Sequence, residues 1–256
     1  MKRPRFAENG IYHVYNQGIE NKVLFKTEQD YLRFIHDLFE FNDTHHSSNF
    51  SYRFRKDPTR VMGINAPYFV RELRHTNEPR ELLVDILGFV LMPNHFHLLL
   101  REKKRGGITK FMHRLGTGYA LHFNQSHKHE GSIFHRRFAS VRLEGGESLH
   151  HLLCYIHADP LTLNAAPSDP VSFLNSYRWS SHLDYCGWNN FPSVTQRDLI
   201  LDFFGGEEQY KKSISEWVQE KEKHTGKIRD VLLEKVIALF LFVMVELEWA
   251  FDLILS

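Results

Sequence analysis

Two cysteines in 256 residues, Cys154 and Cys186, exclude a disulfide framework, and they do not stand at the spacing of a zinc-binding pair. Such scarcity leads us to expect a reducing compartment, the cytoplasm. A long apolar run is missing as well. The longest uncharged one, Val236 to Val245, falls short of the ~20 residues that a bilayer-spanning helix needs, and Glu246, Glu248 and Asp252 follow it. No membrane association is expected. Behind the basic opening MKRPRF there is no apolar segment of the kind a secretory leader carries, so no leader is expected either. Charge of one sign is absent too: 32 Lys and Arg stand against 31 Asp and Glu, a net charge of +1. Any polyanion partner must therefore be met by local clusters of charge. What the chain has in quantity is apolar side chains, 42% of residues, which is ample for the core of one large domain, and 17 His.

The pattern is sharpest from Val84 to Glu102. Two runs of strand formers, Val84 to Met92 and His95 to Arg101, flank Pro93-Asn94 and predict an antiparallel hairpin. Alternation along the second strand puts His95 and His97 on one face and turns Phe96 into the core. At a rise of ~3.4 Å per residue the two imidazoles sit about 7 Å apart, which suits one shared metal ion. Among so many histidines a His-x-His pair is weak evidence alone, yet this strand is otherwise too apolar to hold two polar rings without a reason.

Around that hairpin the chain alternates strand and helix patterns. Ile11 to Asn16 predicts a first strand with His13 and Tyr15 on one face and Tyr12 and Val14 on the other; nothing in the sequence assigns His13 a role. Thr27 and Asp30 form an approximate capping box for a helix over about 27–42. From Asp43 to Leu83 no period is sustained. In that stretch Arg53, Arg55, Lys56 and Arg60 with Tyr52 and Phe54 either track a nucleic-acid backbone or form a solvated basic loop. After the basic turn Lys103-Lys104-Arg105, Ile108, Phe111, Met112, Leu115 and Tyr119 predict a second helix. Ile133 to Leu143 reads as a further strand, with Arg136 and Arg142 on one face and Arg137 on the other. These three arginines and the basic turn are candidate phosphate contacts, although charged residues also blunt sheet edges. A third helix opens near Glu147 and ends at Pro160. Tyr155 and Asp159, four apart, share its face. They are either a nucleophile and a metal ligand or an ordinary surface pair.

Taken together, the strings IYHVYNQGI, GFVLMPNHFHLLL, GSIFHRRFASV and LLCYIHADP resemble the single-tyrosine HUH transposases. The later SYRWSSHLDYCG and DLILDFFGGEEQYKKSISEWV are similar to the C-terminal extension of the REP-associated tyrosine transposase branch, so the likeness runs over roughly residues 5–222. It implies an α+β, ferredoxin-like (RRM-like) antiparallel sheet with helices on one face and a helical C-terminal extension. The expected organisation is a transposase domain over 1–165 interrupted by an insertion at 43–83, an extension at 166–225 and an apolar helical tail at 226–256. His95 and His97 match the two histidines of the HUH motif and Tyr155 matches the nucleophile. Asp159 falls where relatives carry Asn or Gln as third metal ligand, and a carboxylate favours a hard cation. Gln17 stands where an Arg is usual.

The resemblance further implies a divalent cofactor, Mg2+ or Mn2+, and single-stranded DNA carrying a hairpin as partner. Monomers and homodimers both occur in such a family. The implied reaction is attack by Tyr155 on a phosphodiester to leave a 5′-phosphotyrosine and a free 3′-hydroxyl. The phenol needs help to lose its proton, from the metal or from a nearby base such as His157, for which the other reading is a solvated helix residue. Two other readings share the fold. One is a non-catalytic hairpin DNA-binding or regulatory protein. The other is an RRM-like RNA-binding module, against which stands the lack of an RNP-type aromatic string.

Overall fold

The computed structural model describes residues 6–44, 80–163 and 167–220. The basic stretch around Arg53 to Arg60 and the apolar tail at 226–256 lie outside them.

Four strands form one antiparallel sheet: β1 (Ile11–Gln17), β2 (Val84–Met92), β3 (His95–Glu102) and β4 (Ala139–Arg142), in the order β2-β3-β1-β4. Helix α1 (Glu28–Glu40) links β1 to β2, and α2 (Gly107–His127) links β3 to β4. This order and these crossovers are the ferredoxin-like arrangement that the sequence led us to expect. Locally the elements follow from their ends. Thr27 caps α1 in a full capping box, its side chain accepting from Asp30 N while the Asp30 carboxylate accepts from Thr27 N. In α2 a Cβ at Gly118 would lie 2.5 Å from Phe41 Cε2, so a residue that weakens the helix in isolation lets α1's end pack against it.

Alternation sorts the strands into two cores. Tyr12 and Val14 of β1 and Phe96, Leu98 and Leu100 of β3 face α1 and α2. Leu99 and, from β2, Leu87, Val90 and Met92 face the opposite way. On β2 the parity changes midway: Val84 and Ile86 point to the first core, but so do Phe89 and Leu91. A bulge between Ile86 and Gly88 inserts the extra residue that makes both possible, and without it the second half of β2 would turn inside out.

The second face is covered by α3 (Gly146–Ala158), continued by a 3-10 turn at Asp159–Leu163, and by four helices beyond it. These are α4 (Pro170–Ser176), α5 (His182–Tyr185), α6 (Asp198–Phe204) and α7 (Glu207–Gln219). Leu152, Leu153 and Ile156 of α3 meet Tyr210, Ile214 and Trp217 of α7 over the sheet. The same segment closes the outer edge of β2. Leu91 N donates to Trp179 O (2.9 Å), Ser181 N to Phe89 O (3.0 Å) and Gln196 N to Ile86 O (2.9 Å), so the edge offers few free backbone groups.

The span Ile133 to Leu143 is not one strand. Only Ala139–Arg142 pairs with β1; Phe134 makes a single bridge to Gly18, and Arg136 and Arg137 lie in a bend between them. Asn16 fixes that bend, its Nδ2 donating to Arg136 O (2.9 Å) and Arg137 O (2.7 Å). A side-chain amide thus takes up carbonyls that a strand partner would otherwise have bound.

Candidate active site

Where β3 leaves the Pro93-Asn94 turn, His95 and His97 project from the face turned away from α1 and α2. Their rings approach to 5.1 Å between centroids, closer than the strand rise alone suggests. The C-terminal end of α3 brings Asp159 over them. Its Oδ2 lies 3.0 Å from His95 Nε2 and 3.7 Å from His97 Nε2. One donor atom from each of His95, His97 and Asp159 falls within 4.8 Å of the others, and among the described residues this is the one such grouping of His, Cys, Asp and Glu that could hold a metal.

His95 Nδ1 lies 2.8 Å from Asn94 Oδ1 and its Nε2 lies 3.0 Å from Asp159 Oδ2, so both ring nitrogens face oxygen acceptors; a neutral imidazole has one proton for the two, and a cation at the Asp159 end would satisfy the other. Two imidazoles and a carboxylate are a donor set suited to a divalent metal ion.

Tyr155 stands beside this group, its ring edge-on to His97 with centroids 5.9 Å apart and planes at 79°. Burial, then the charge of Asp159 and the neighbouring Tyr15, push its phenol up to about 12. It is therefore a neutral phenol at neutral pH.

Two further groups line the face, and neither was assigned from the sequence. Tyr15 pairs with His97 across the β1–β3 ladder, and His13, the next residue on that face, stacks on Tyr15 and reaches diagonally to His97. His13 Nε2 and His97 Nδ1 are 2.8 Å apart. Burial lowers His13 to about 3 and, together with the neighbouring His13, holds His97 well below the usual imidazole range. Alternation placed His13 and Tyr15 on one face, but only the strand register shows which residues of β3 they meet.

His157 is neither a base beside Tyr155 nor a solvated residue. Two positions on along the helix, it points to the opposite side and is fully buried. There it joins a chain of hydrogen bonds in which each proton has a place. Phe89 N donates to Ser181 Oγ (2.9 Å), whose hydroxyl stands between His157 Nε2 (2.7 Å) and Phe89 O (3.2 Å). His157 Nδ1 donates to Tyr210 Oη (2.7 Å), Tyr210 donates to His182 Nδ1 (2.7 Å), and His182 Nε2 donates to Asn175 Oδ1 (3.1 Å). Because Asn175 Oδ1 accepts, the direction of the whole chain follows from that end. Burial keeps both imidazoles neutral, with His182 lowered to about 4. This relay ties the helix bearing Tyr155 and Asp159 to β2 and to α4, α5 and α7. At its centre Gly88 lets the helix in: a Cβ there would lie 2.7 Å from Leu153 Cδ1.

The six basic candidates separate. Arg136 and Arg137 sit at the site's end of the sheet, and the Arg136 charge acts on Tyr15, partly offsetting the burial that raises its phenol. Arg142 pairs with Tyr12 at the other end. Lys103, Lys104 and Arg105 follow the far end of β3, about 24 Å from His95 at ~3.4 Å per residue. Lys103 is bound to Asp85 (3.2 Å) and Lys104 to Glu81. Gln17 stands across the ladder from His95.

The family model described as Transposase IS200 like matches residues 72–159, a stretch that holds His95, His97 and Tyr155 and stops at Asp159. Among solved structures, that of a REP-associated tyrosine transposase bound to a REP hairpin is similar over 78% of this chain and 92% of its own, with 13% identity and a TM-score of 0.44. Comparison with curated proteins gives no match.

Proposed function

We propose, from the match of residues 72–159 to the IS200-like transposase family model, that this chain is a metal-dependent endonuclease and strand transferase acting on single-stranded DNA beside hairpins. The observation that carries the reading is the convergence of His95, His97 and Asp159 under the ring of Tyr155, all inside the matched segment. The choice of a hairpin substrate follows from the resemblance to the REP-associated branch.

His95, His97 and Asp159 would hold Mg2+ or Mn2+, which when bound supplies positive charge to a scissile phosphate and favours ionisation of a nearby phenol. Tyr155 Oη attacks phosphorus, forming the tyrosyl O–P bond while the P–O3′ bond breaks. The proton lost by the phenol is balanced by the one the 3′-oxygen gains. A phosphodiester is exchanged for a phosphodiester, so the step needs no nucleotide cofactor and can be reversed onto a new 3′-hydroxyl. Fixing Tyr155 on a helix anchored at its back by His157 restricts the nucleophile before substrate arrives. Arg136 and Arg137, exposed at the same end of the sheet, are placed to meet the DNA backbone.

The test is incubation of the full chain with labelled single-stranded hairpin DNA taken from the flank of its gene, with Mg2+ or Mn2+, followed by a denaturing gel. A metal-dependent covalent adduct that Tyr155→Phe loses, while hairpin binding persists, is the expected result. Tight binding with no adduct under either metal would replace this reading with that of a non-catalytic DNA-binding protein.

A further inference from the structure

His13 is 1% exposed, and its Nδ1 has no hydrogen-bond partner among the described residues. Its one polar contact is the 2.8 Å approach of Nε2 to His97 Nδ1. A neutral imidazole carries a single ring proton, and only one proton fits between these two nitrogens. That leaves two arrangements. In the first, His97 holds its proton on Nδ1 and donates it to His13 Nε2, so that His97 Nε2 is a bare lone pair facing Asp159. In the second, His13 donates from Nε2, and His97 must carry its proton on Nε2, the atom 3.7 Å from the Asp159 carboxylate. Only the first leaves His97 able to ligate a cation. Without a cation the second is favoured electrostatically, because the N–H then points toward the carboxylate 3.7 Å away.

We propose that His13 is a positioning residue for the metal site: by accepting the Nδ1 proton of His97 it turns the bare Nε2 of that ring toward Asp159, and divalent cation binding exchanges the tautomers of both rings together. Each arrangement holds the same two protons, so the exchange neither takes up nor releases one from this pair. A metal-ligating imidazole commonly donates its other N–H to a carboxylate or carbonyl. Here a third imidazole, on the neighbouring strand, serves that purpose. This inference rests on the metal-site reading given above.

The test compares Mn2+ affinity, read from the electron paramagnetic resonance signal of free Mn2+, in the full-length parent, His13→Phe and His13→Gln. Phe keeps a ring against Tyr15 and His97 but cannot accept; the Gln amide oxygen reaches close to the position of Nε2 and can. The Mn2+ dissociation constant is expected to rise about 10–100-fold in His13→Phe and to stay close to the parent's in His13→Gln. A purely structural His13 would lower the unfolding midpoint of both variants and leave the dissociation constant unchanged, and that result overturns the proposal while sparing the metal site. A parent that binds Mn2+ no better than a His95→Ala, His97→Ala double variant would remove the metal site and this proposal with it. Should His13→Phe fail to fold, long-range 1H–15N spectra of the parent decide. His97 should move its proton from Nε2 to Nδ1 as Mg2+ is added, and a proton that stays on Nε2 refutes the exchange.

Discussion

Removing one oxygen atom from the hydrogen-bonded chain behind the tyrosine helix gives the sharpest test of how that helix is held. In Tyr210→Phe the ring keeps its place, and the only loss is the hydroxyl that links His157 Nδ1 and His182 Nδ1 at 2.7 Å each. The buried His157 Nδ1 donor is left unpaired, and His182 Nδ1 keeps only the weak contact with Cys186 Sγ at 3.9 Å. An unpaired buried group costs about 1–3 kcal/mol and a weakly paired one up to as much, so the variant should lose about 1–6 kcal/mol. Against a typical total of about 5–15 kcal/mol that is a large share. Urea unfolding of parent and variant measures it, and with a slope of about 1–3 kcal/mol per molar the midpoint should fall by on the order of 1–2 M at unchanged slope. Hydrogen exchange locates it: amides of α3 and α7 should lose protection before those of β1 and β3. A loss below about 0.5 kcal/mol, the level of an ordinary surface change, would refute the relay as an anchor of α3.

In Gly107→Ala the new Cβ would run into the Leu83 carbonyl, which also receives Lys103 N and Lys104 N, so the entry to β2 must move; a loss of about 1–3 kcal/mol in urea unfolding is expected. His182 is lowered from 6.5 to about 4 by burial, so as pH falls through that window the unfolded chain binds a proton that the folded one refuses. Stability should therefore drop between about pH 6.5 and 4, by roughly 3 kcal/mol at most. His157 acts in the same direction, while Asp184, raised from 3.8 to about 6 by burial, gains stability as pH falls and opposes it. The measurement is the difference in urea midpoint between pH 7 and pH 4.5, which should be smaller in His182→Gln than in the parent. For DNA binding, Arg136→Ala should reduce the log–log salt slope by about 0.7, one phosphate contact to a single strand. Arg142→Ala, at the other end of the sheet, should leave it unchanged; equal effects from both would place the DNA elsewhere.

Much of the scaffold could be read from local pattern. The hairpin, the capping box at Thr27 and the shared face of His95 and His97 depend only on residues a few positions apart, and strand and helix periods fix them. The grouping of His95, His97, Tyr155 and Asp159 came from the likeness of several strings to one family, because nothing in periodicity says where the end of α3 lands. What escaped notice depends on pairing between distant segments. His13 meets His97 only because β1 and β3 adopt one register, and a slip of one residue would carry it to the other face. The span from Ile133 reads as strand by composition, but Asn16, more than a hundred residues earlier, captures its carbonyls and leaves Arg136 and Arg137 in a bend. His157 reads from the sequence as a base or a solvated helix residue because its partners, Ser181 and Tyr210, come more than twenty residues later, and burial of a histidine is legible only once its acceptors and donors are known.

The closure of the β2 edge also sets a schedule for the newborn chain. Strand β2 can pair with β3 almost as soon as both are made, but its other side waits for Trp179, Ser181 and Gln196. At a synthesis rate of roughly 5–20 residues per second, that wait is on the order of ten seconds. Throughout it an apolar strand with an open row of backbone donors and acceptors is available to any neighbouring chain. The arrival of the segment from Trp179 to Gln196 is thus what ends the hazard. Chains interrupted before Trp179 should gather in aggregates, because the row of Ile86 to Leu91 is still open when they stop.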